Sequence, residues 1–320
     1  MDMSNRRFLT TLLAAILILT PGCNEDPVIS PVFVTPLPVV HCILSAEDTA
    51  HYVRVTRLLS GPVNPGESAG NADSLYFKDI QVFFEIWDDF FMQRLNIIQL
   101  GPTFEIPRDS GFFNYNYPLT FKTSERLDGP VRLRIEIPDR NITAISFGSA
   151  PWPPVLEKPN PALKRELGFF EDYPVVIFWG NDSLNYRQTI IRMNYLKVTA
   201  SGIDTCRLDW KRSGGNLYIT GKEYLDYIAA WIMAEQAVIY RKITGIDIIM
   251  NYGSQAYKTY ITRKDWAFDI IGQPYSNIIN GYGVFAGRST DTVFGFLPNQ
   301  KFLDTLANDP LTHKLRFVTW

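Results

Sequence analysis

Two pairs of adjacent acidic residues are the first candidates for chemistry, because glycoside hydrolysis needs two carboxyl groups several ångströms apart and no local motif. Asp88 and Asp89 follow a tryptophan, and Glu171 and Asp172 follow two phenylalanines. Neighbouring side chains on a strand point to opposite faces, and acidic side chains in turns commonly accept hydrogen bonds from backbone amides. We therefore interpret both pairs as turn residues, and a glycan hydrolase that uses a carboxylate pair is the alternative function.

Histidine and metal chemistry have little support in the sequence. The chain contains three histidines, His41, His51 and His313, with no His-Glu-x-x-His spacing and no cysteine cluster. His41 and His51 could converge on adjacent strands, but we interpret them as surface residues. We expect no catalytic residue, no metal and no cofactor.

A glycine-rich stretch, "GYGVFA" at 281–286, fits the dinucleotide-binding fingerprint by spacing. That fingerprint needs a helix N-terminus directly after it, where backbone amides meet the pyrophosphate. Here "GRSTDTVFGF" follows, which has β character. The sequence instead favours a strand whose glycines allow a bulge or a close backbone approach.

Aromatic residues are abundant, with 7 Trp, 16 Tyr and 21 Phe. Most are expected to fill a core, as Trp179 and Trp231 would. Trp152 lies in "APWPP", and Tyr115 and Tyr117 lie in "FNYNYP", so all three are predicted on loops. They are the candidates for contact with a glycan, a peptide or a protein partner.

The N-terminus has the pattern of a secretory signal at residues 1–22. Arg6 and Arg7 precede an apolar run at 8–19 that is too short to span a bilayer, and Pro21 and Gly22 then interrupt any helix. A buried N-terminal helix is the alternative. No later apolar run approaches the length of a membrane span.

The residue after Gly22 is a cysteine, and "LTPGC" at 19–23 resembles a bacterial lipobox. The resemblance implies that Cys23 is lipidated, for example with palmitate, and that residues 23–31 form a tether. Several acyl chains on one residue give a stable membrane anchor. Asn24, Glu25 and Asp26 resemble the acidic export signal of Bacteroidota surface lipoproteins, with retention on the periplasmic face as the alternative.

The net charge of the chain argues against nucleic acid as a partner. A formal net charge of −2 at pH 7 does not suit a nucleic-acid-binding protein, whose affinity depends on clustered Lys and Arg.

Cys42 and Cys206 could form one long-range disulfide in an oxidising compartment, or each could be a small buried apolar residue on a strand. We favour the second interpretation.

Hydrophobic periodicity predicts a mainly β protein with a few packed helices. Residues 32–148 contain short runs of period two, such as "VRLRIEI" at 131–137, which predict an Ig-like or transthyretin-like sandwich. A proline-rich linker is predicted at 149–165, before a second β-rich domain at 166–320. Helices are predicted near 221–236, 254–265 and 299–307, the first after a capping box.

Several segments resemble, in order, a family of uncharacterised Bacteroidota lipoproteins grouped as a domain of unknown function, the DUF4249 type. The matching pieces are the lipobox, "VVHCIL", "HYVRVTRLLSG", "VRLRIEIPDRNITAIS", "FWGNDSLNYRQTIIR" and "PYSNIINGYGVFAGRS". The resemblance implies a surface or periplasmic lipoprotein of the outer membrane, often found with TonB-dependent receptors. It supplies no catalytic residues.

The sequence therefore favours a noncatalytic, lipid-anchored outer-membrane protein, and the acidic residues behind Cys23 predict display at the cell surface. Such a protein would bind a ligand or dock on a TonB-dependent transporter. A structural or adhesive surface protein is a further alternative that composition does not separate from the first.

Overall fold

The computed structural model describes residues 36–58, 72–106, 119–162, 166–169, 173–180, 185–262 and 275–320. The fold is mainly β with a few helices, as the periodicity predicts. The described residues all belong to one compact unit. Within them, no helix is both long and apolar enough to cross a membrane.

Fifteen strands and four α-helices make up the described part of the chain. The strands are β1 (Pro38–Leu44), β2 (His51–Arg57), β3 (Gln81–Trp87), β4 (Arg94–Gln99), β5 (Gly101–Thr103), β6 (Thr120–Thr123), β7 (Pro130–Ile137), β8 (Ile142–Ser149), β9 (Glu166–Leu167), β10 (Val175–Phe178), β11 (Tyr186–Thr199), β12 (Gly202–Ser213), β13 (Asn216–Ile219), β14 (Val238–Gly253) and β15 (Tyr282–Pro298). The helices are α1 (Ala72–Leu75), α2 (Gly221–Trp231), α3 (Gln255–Thr262) and α4 (Gln300–Asn308), with short 3-10 helices at Pro138–Arg140 and His313–Leu315.

The strands form one long sheet and two smaller ones. The long sheet has the order β12-β11-β14-β15-β1-β2-β6-β5, and β9 adds to β15. The second sheet has the order β4-β3-β7-β8, and β10 pairs with β13 alone. Strand β15 pairs in parallel with β1 through its first residues and antiparallel with β14 further along, so it connects the two halves of the long sheet.

Two hydrophobic cores lie on the described chain. The first is sandwich-like, because β1 and β2 of the long sheet and β3, β7 and β8 of the four-stranded sheet all contribute buried side chains to it. It also takes in Ile278 and Phe285, which a boundary at residues 149–165 would assign to the second domain. The second core runs from Leu156 to Phe317 and includes Phe296, so β15 contributes to both cores.

Strand β7 shows how the sequence pattern produces the first core. Val131, Leu133, Ile135 and Ile137 are buried, and the charged residues between them lie on the opposite face. Full burial of one such side chain contributes roughly 1.5–3 kcal/mol. The strict alternation therefore predicts both the strand and its inward face.

Helix α2 begins at the predicted capping box. The Thr220 side chain accepts a hydrogen bond from the backbone N–H of Glu223, and the Glu223 carboxylate accepts one from the N–H of Thr220. Trp179 is buried as predicted, but the prediction that Trp231 is a core residue is wrong, because its side chain is 66% exposed. The chain becomes extended at Ile232, which takes the next buried position instead.

The other two predicted helices, α4 and α3, differ in how much of their surface is buried. The Asn299 side chain accepts a hydrogen bond from the N–H of Phe302 and thereby caps α4, which buries Phe302 and Leu306 in the second core. Helix α3 buries none of its residues completely. It contacts the sheet through an edge-to-face pair of Tyr257 with Tyr186 of β11, whose ring centroids are 5.6 Å apart.

Candidate functional site

The acidic pair that follows Trp87 lies in the turn between β3 and β4. One carboxylate oxygen of Asp88 accepts hydrogen bonds from the backbone N–H groups of Met92, at 2.7 Å, and Gln93, at 3.2 Å. Asp88 is therefore a turn-capping residue, as the sequence predicts. Glu171 and Asp172 lie outside the described residues.

A small cavity of about 150 Å³ in the second core region contains two other carboxylates, Asp226 and Asp309. The Asp226 carboxylate is ion-paired with Lys222 at 2.8 Å, and the Asp309 carboxylate accepts a hydrogen bond from the N–H of Leu311 at 2.8 Å. Both acids thus have local structural partners. This cavity gives no support to a carboxylate dyad.

The histidines do not converge. The strand register puts His41 opposite Arg54, three residues along β2 from His51. His41 is exposed, as the sequence predicts, and its Nε2 atom lies 3.1 Å from the hydroxyl of Tyr260. Partial desolvation of its ring, with Arg54 nearby, lowers the pKa of His41.

The interpretation of His51 as a surface residue is wrong. His51 is buried because it begins the inward-facing series of β2 that continues with Val53 and Val55, and this burial lowers its pKa. His313 is exposed, in the 3-10 helix near the C-terminus. Among the described residues, no group of three His, Cys, Asp or Glu side chains could hold a metal ion.

The glycine-rich stretch at 281–286 belongs to a strand, as the sequence favours. Residues from Tyr282 onward pair in parallel with β1. Gly283 has a φ of 110°, and a Cβ at this position would collide with the carbonyl oxygen of Val40. Glycine is therefore required for the close approach of two backbones, and no helix N-terminus follows to bind a phosphate.

The remaining sequence-predicted site residues are only partly described. Cys23, Asn24, Glu25, Asp26, Tyr115 and Tyr117 lie outside the described residues. Trp152 is 58% exposed, as predicted for a loop residue, and the guanidinium of Arg126 lies 5.0 Å from the centre of its ring. Its backbone oxygen accepts a hydrogen bond from the hydroxyl of Ser289, so the position of Trp152 is fixed by β15.

The structure adds a cluster of exposed apolar side chains, which we call the apolar tip. It consists of Phe90, Phe91 and Met92 in the β3–β4 turn together with Phe147 of β8. Phe90 and Met92 are each 83% exposed, and the rings of Phe91 and Phe147 pack edge to face with centroids 5.6 Å apart. A turn normally contains Gly, Pro, Asn, Asp or Ser, so three large apolar residues in succession are the sequence signal for this tip.

Hydrogen bonds close the backbone of the tip. The N–H of Asp88 donates to the carbonyl of Gln93 at 3.0 Å, and the N–H of Phe91 donates to the carbonyl of Asp88 at 3.0 Å. Together with the two hydrogen bonds to the Asp88 carboxylate, these contacts close the turn. The apolar side chains are thus presented to solvent on a hydrogen-bonded turn.

Trp152 lies at the same end of the four-stranded sheet as the apolar tip. The β7–β8 register pairs Pro130 with Ser149, and the β3–β7 register brings Ile86 opposite Val131. The end of β3, the start of β7 and the end of β8 therefore coincide. Trp152, which the sequence predicts as a contact residue, and the apolar tip therefore lie at the same end of this sheet.

Beside the tip, the outer face of the four-stranded sheet carries a carboxylate enclosed by arginines. Glu85 is completely buried, and its oxygens accept hydrogen bonds from Nε of Arg132 at 2.5 Å and Nε of Arg134 at 2.7 Å. The two guanidinium groups in turn lie over the rings of Trp87 and Phe83. Burial raises the pKa of Glu85, but the two arginine hydrogen bonds outweigh it and hold the pKa below its usual value.

No protein-family model and no curated protein matches the chain.

Proposed function

We propose that this chain is a noncatalytic lipoprotein of the outer membrane, anchored through Cys23 and facing the cell surface, which docks on a TonB-dependent transporter through its apolar tip. The lipobox-like sequence, the acidic residues behind Cys23 and the ordered resemblance to Bacteroidota lipoproteins support the location. An Ig-like or transthyretin-like topology for the first core is part of the same proposal.

The observation that carries the docking proposal is the exposure of Phe90 and Met92 on a hydrogen-bonded turn. Leaving large apolar side chains in water is unfavourable, and a cluster of them commonly marks an interaction surface. Because the turn is already closed by hydrogen bonds, a partner would not have to order it on binding, which reduces the entropic cost of association. The aromatic and arginine side chains beside the tip are the types enriched at interface centres.

A protein partner fits the tip better than a lipid bilayer. The carboxylates of Asp88 and Asp89 stand directly before the apolar residues in the same turn. Placing carboxylates in the hydrocarbon region of a membrane costs several kcal/mol, whereas the rim of a protein interface is polar and hydrated.

The proposal is tested by photo-crosslinking in intact cells. A photoreactive phenylalanine analogue in place of Phe90 should give a crosslink to a large β-barrel receptor, and the same analogue in place of Ile203 should not. Ile203 is a matched control because it is 65% exposed, but on the edge strand β12 of the long sheet. Equal crosslinking from both positions, or none from Phe90, would contradict docking through the tip.

Copurification gives a second measurement with variants that keep the fold. The Phe90→Ser, Met92→Ser double variant should lose the receptor from mild-detergent extracts, while an Ile203→Ser, Ile239→Ser double variant should retain it. Both pairs replace exposed apolar side chains, so folding should be affected equally little. Flotation of the unlipidated wild-type chain with protein-free vesicles would instead indicate direct membrane contact by the tip.

A further inference from the structure

An exposed apolar row crosses the outer face of the long sheet at the end where β11 turns into β12. The strand registers pair Val198 of β11 with Ile203 of β12 on one side and with Tyr240 of β14 on the other. Side chains directly opposite one another in neighbouring strands lie on the same face. Tyr195, three residues before Val198, belongs to the second core. Since side chains alternate along a strand, this row faces away from that core.

A β-bulge adds one more apolar side chain to the row. The register shifts at Val198, so that Ile239 is an extra residue of β14. The residues on either side of the pair Ile239 and Tyr240 are buried, whereas Ile239 is 57% exposed and Ile203 is 65% exposed. Ile239 and Tyr240 therefore both lie on the outer face.

Trp320 extends the row beyond β14. Its ring centre lies 5.4 Å from that of Tyr240, and its side chain is 67% exposed. The backbone before it is held beside β14, because the N–H of Val318 donates to the carbonyl of Arg241 at 2.9 Å. We call the following residues the apolar strip: Val198, Ile203, Ile239, Tyr240 and Trp320.

Positive charge borders the apolar strip. The ammonium group of Lys242 lies 4.8 Å from the ring centre of Trp320. On the same face of β12, the first carboxylate is that of Asp209, about 20 Å along the strand from Ile203. Two hydrogen bonds from Arg192, of 2.7 and 2.8 Å, neutralise that carboxylate.

Two acidic residues near the strip in sequence lie on the other face of the sheet. Asp204 follows Ile203 in β12, so the two side chains point to opposite faces. The carboxylates of Asp204 and Glu235 are ion-paired with Lys197, at 3.5 and 3.4 Å. Neither acid therefore adds negative charge to the face that carries the strip.

We propose that the apolar strip contacts the phospholipid surface of the membrane to which the chain is tethered, an inference that rests on the proposed lipid anchor. Tryptophan and tyrosine are enriched at the boundary between headgroups and hydrocarbon, where the ring is buried and its polar atom stays hydrated. A lysine beside them keeps its methylene groups in the apolar layer and its ammonium among anionic headgroups. The apolar tip differs, because Asp88 and Asp89 precede its apolar residues in the same turn.

A second copy of the chain fits the strip less well than a bilayer does. A stable protein interface buries about 800 Å² on each partner and involves roughly 20 residues a side, many more than the strip contains. A bilayer sets no such minimum, because the tether keeps the strip close to the surface and the strip only has to orient a chain that is already bound. A few partly inserted side chains bind no more strongly than a single acyl chain, which is marginal, so the untethered chain should stay in solution.

The proposal is tested by tryptophan quenching on tethered protein. The mature chain from Asn24 onward, with an N-terminal histidine tag, is bound to vesicles of phosphatidylethanolamine and phosphatidylglycerol that contain a nickel-chelating lipid. Brominated acyl chains quench a tryptophan that they contact. Brominated vesicles should therefore lower the fluorescence by about one-seventh relative to unbrominated ones, since Trp320 is one of 7 tryptophans. Equal fluorescence on the two kinds of vesicle would overturn the proposal.

Two tryptophan variants identify the ring that is in contact. Trp320→Phe should abolish the bromine-dependent loss, and Trp231→Phe should retain it. Trp231 is a matched control because it is 66% exposed but lies on α2, which packs through Tyr224 and Ile228 into the second core on the other face. A loss that persists in Trp320→Phe, or that disappears in Trp231→Phe, would overturn the proposal.

Charge variants test the contact while the fluorophore stays in place. Lys242→Glu puts a carboxylate beside Trp320 and should abolish the loss, because a carboxylate is unfavourable in the apolar layer. Lys211→Glu makes the same change on the same face of β12, about 27 Å from Ile203, and should keep the loss. Circular dichroism identifies the variants that fold like the wild type. Equal losses in the two folded variants would contradict contact through the strip.

Sedimentation of the chain without vesicles tests the second copy. The wild type should be monomeric. A dimer that the Ile203→Ser, Ile239→Ser double variant dissociates would assign the strip to a second copy and overturn contact with lipid. Because the tag replaces the lipid anchor and no receptor is present, a negative quenching result would leave lipidation at Cys23 and docking through the apolar tip untouched.

Discussion

The Nε atom of Arg134 donates a hydrogen bond of 2.7 Å to the carboxylate of Glu85, on the sheet face that points away from the first core. Glu85 is nevertheless completely buried, because Arg132, Arg134 and Arg94 cover it from the neighbouring strands. Three guanidinium groups therefore share the Glu85 carboxylate, and Arg134 is also ion-paired with Glu136. Each guanidinium is partly exposed, so solvent moderates the strength of the cluster.

Replacement of Glu85 by glutamine should destabilise the fold by about 2–3 kcal/mol. The variant keeps the shape of the side chain but leaves the arginines without their shared counter-charge, and removing one member of a buried ion pair is strongly destabilising. Urea unfolding followed by circular dichroism measures the change. Glu136→Gln is the control: Glu136 is ion-paired with Arg134 but more exposed, so its loss should be about 1 kcal/mol or less. Equal losses in the two variants would contradict the special role of Glu85.

The same carboxylate should make stability depend on pH in the acid range. Since the folded-state pKa of Glu85 is lower than its unfolded value near 4.5, the unfolded state binds more protons between the two values. The stabilisation is therefore fully present above the unfolded pKa and is lost as pH falls through the folded pKa. The free-energy difference between wild type and Glu85→Gln should shrink as the pH falls below about 4.5. A difference that is constant from pH 6 to pH 3 would refute this explanation.

Local sequence patterns predict those parts of the fold that depend on interactions between residues close together in the chain. The alternation of β7 and the capping box of Thr220 and Glu223 depend on residues within a few positions of one another. The parallel pairing of β1 with β15 joins Val39 to Tyr282, and no local pattern specifies such a partner. This pairing is why one strand serves both cores, which a linear division of the chain into domains does not anticipate.

The candidate sites are less predictable from the sequence, because they also depend on contacts between separate strands. Asp88 could be recognised as a turn residue from its neighbours, but the exposure of Phe90 follows from the closed turn and the packing of the adjacent strands. The contact of Trp320 with Tyr240 likewise requires the segment before Trp320 to lie beside β14. Spacing in sequence does not reveal that contact, nor the bulge at Ile239 that adds to the same face.

Phe91 offers a test of the tip that does not require a partner. Its φ is 55°, in the left-handed region that is unfavourable for a bulky side chain and tolerated by asparagine. Phe91→Ala loses the ring contact with Phe147 and keeps the backbone strain, whereas Phe91→Asn loses the contact and relieves the strain. Phe91→Asn should therefore be more stable than Phe91→Ala by about 1 kcal/mol in urea unfolding. Equal stability would show that the turn stores no strain at this position.

The two cysteines of the folded region should be free and should react at different rates. Cys42 lies in the first core and Cys206 packs against the second, on strands four positions apart in the long sheet, a separation of about 19 Å that no disulfide spans. Burial raises the pKa of the Cys42 thiol, which leaves little reactive thiolate.

This difference can be measured on a chain that begins at Asn24, with a coloured thiol reagent. One thiol per native chain should react quickly, and the second should react after unfolding in urea. Cys206→Ser should abolish the fast reaction, and Cys42→Ser should leave it unchanged. A non-reducing mass that is lower by two hydrogens would show a disulfide and contradict the prediction.

Lipidation at Cys23 is the prediction on which the proposed location depends. Cys23→Ala removes the only thiol that the lipobox-like sequence offers for acylation, so the protein should move from the outer-membrane fraction to the soluble fraction. The wild-type chain should carry a mass increase of several acyl groups on its N-terminal peptide, and protease treatment of intact cells should degrade it if it faces the surface. Asn24→Ala, Glu25→Ala, Asp26→Ala as a triple variant is the matched control, because it should remain lipidated but become protected from the external protease. Continued sedimentation of Cys23→Ala with the outer membrane would contradict the lipid anchor at Cys23.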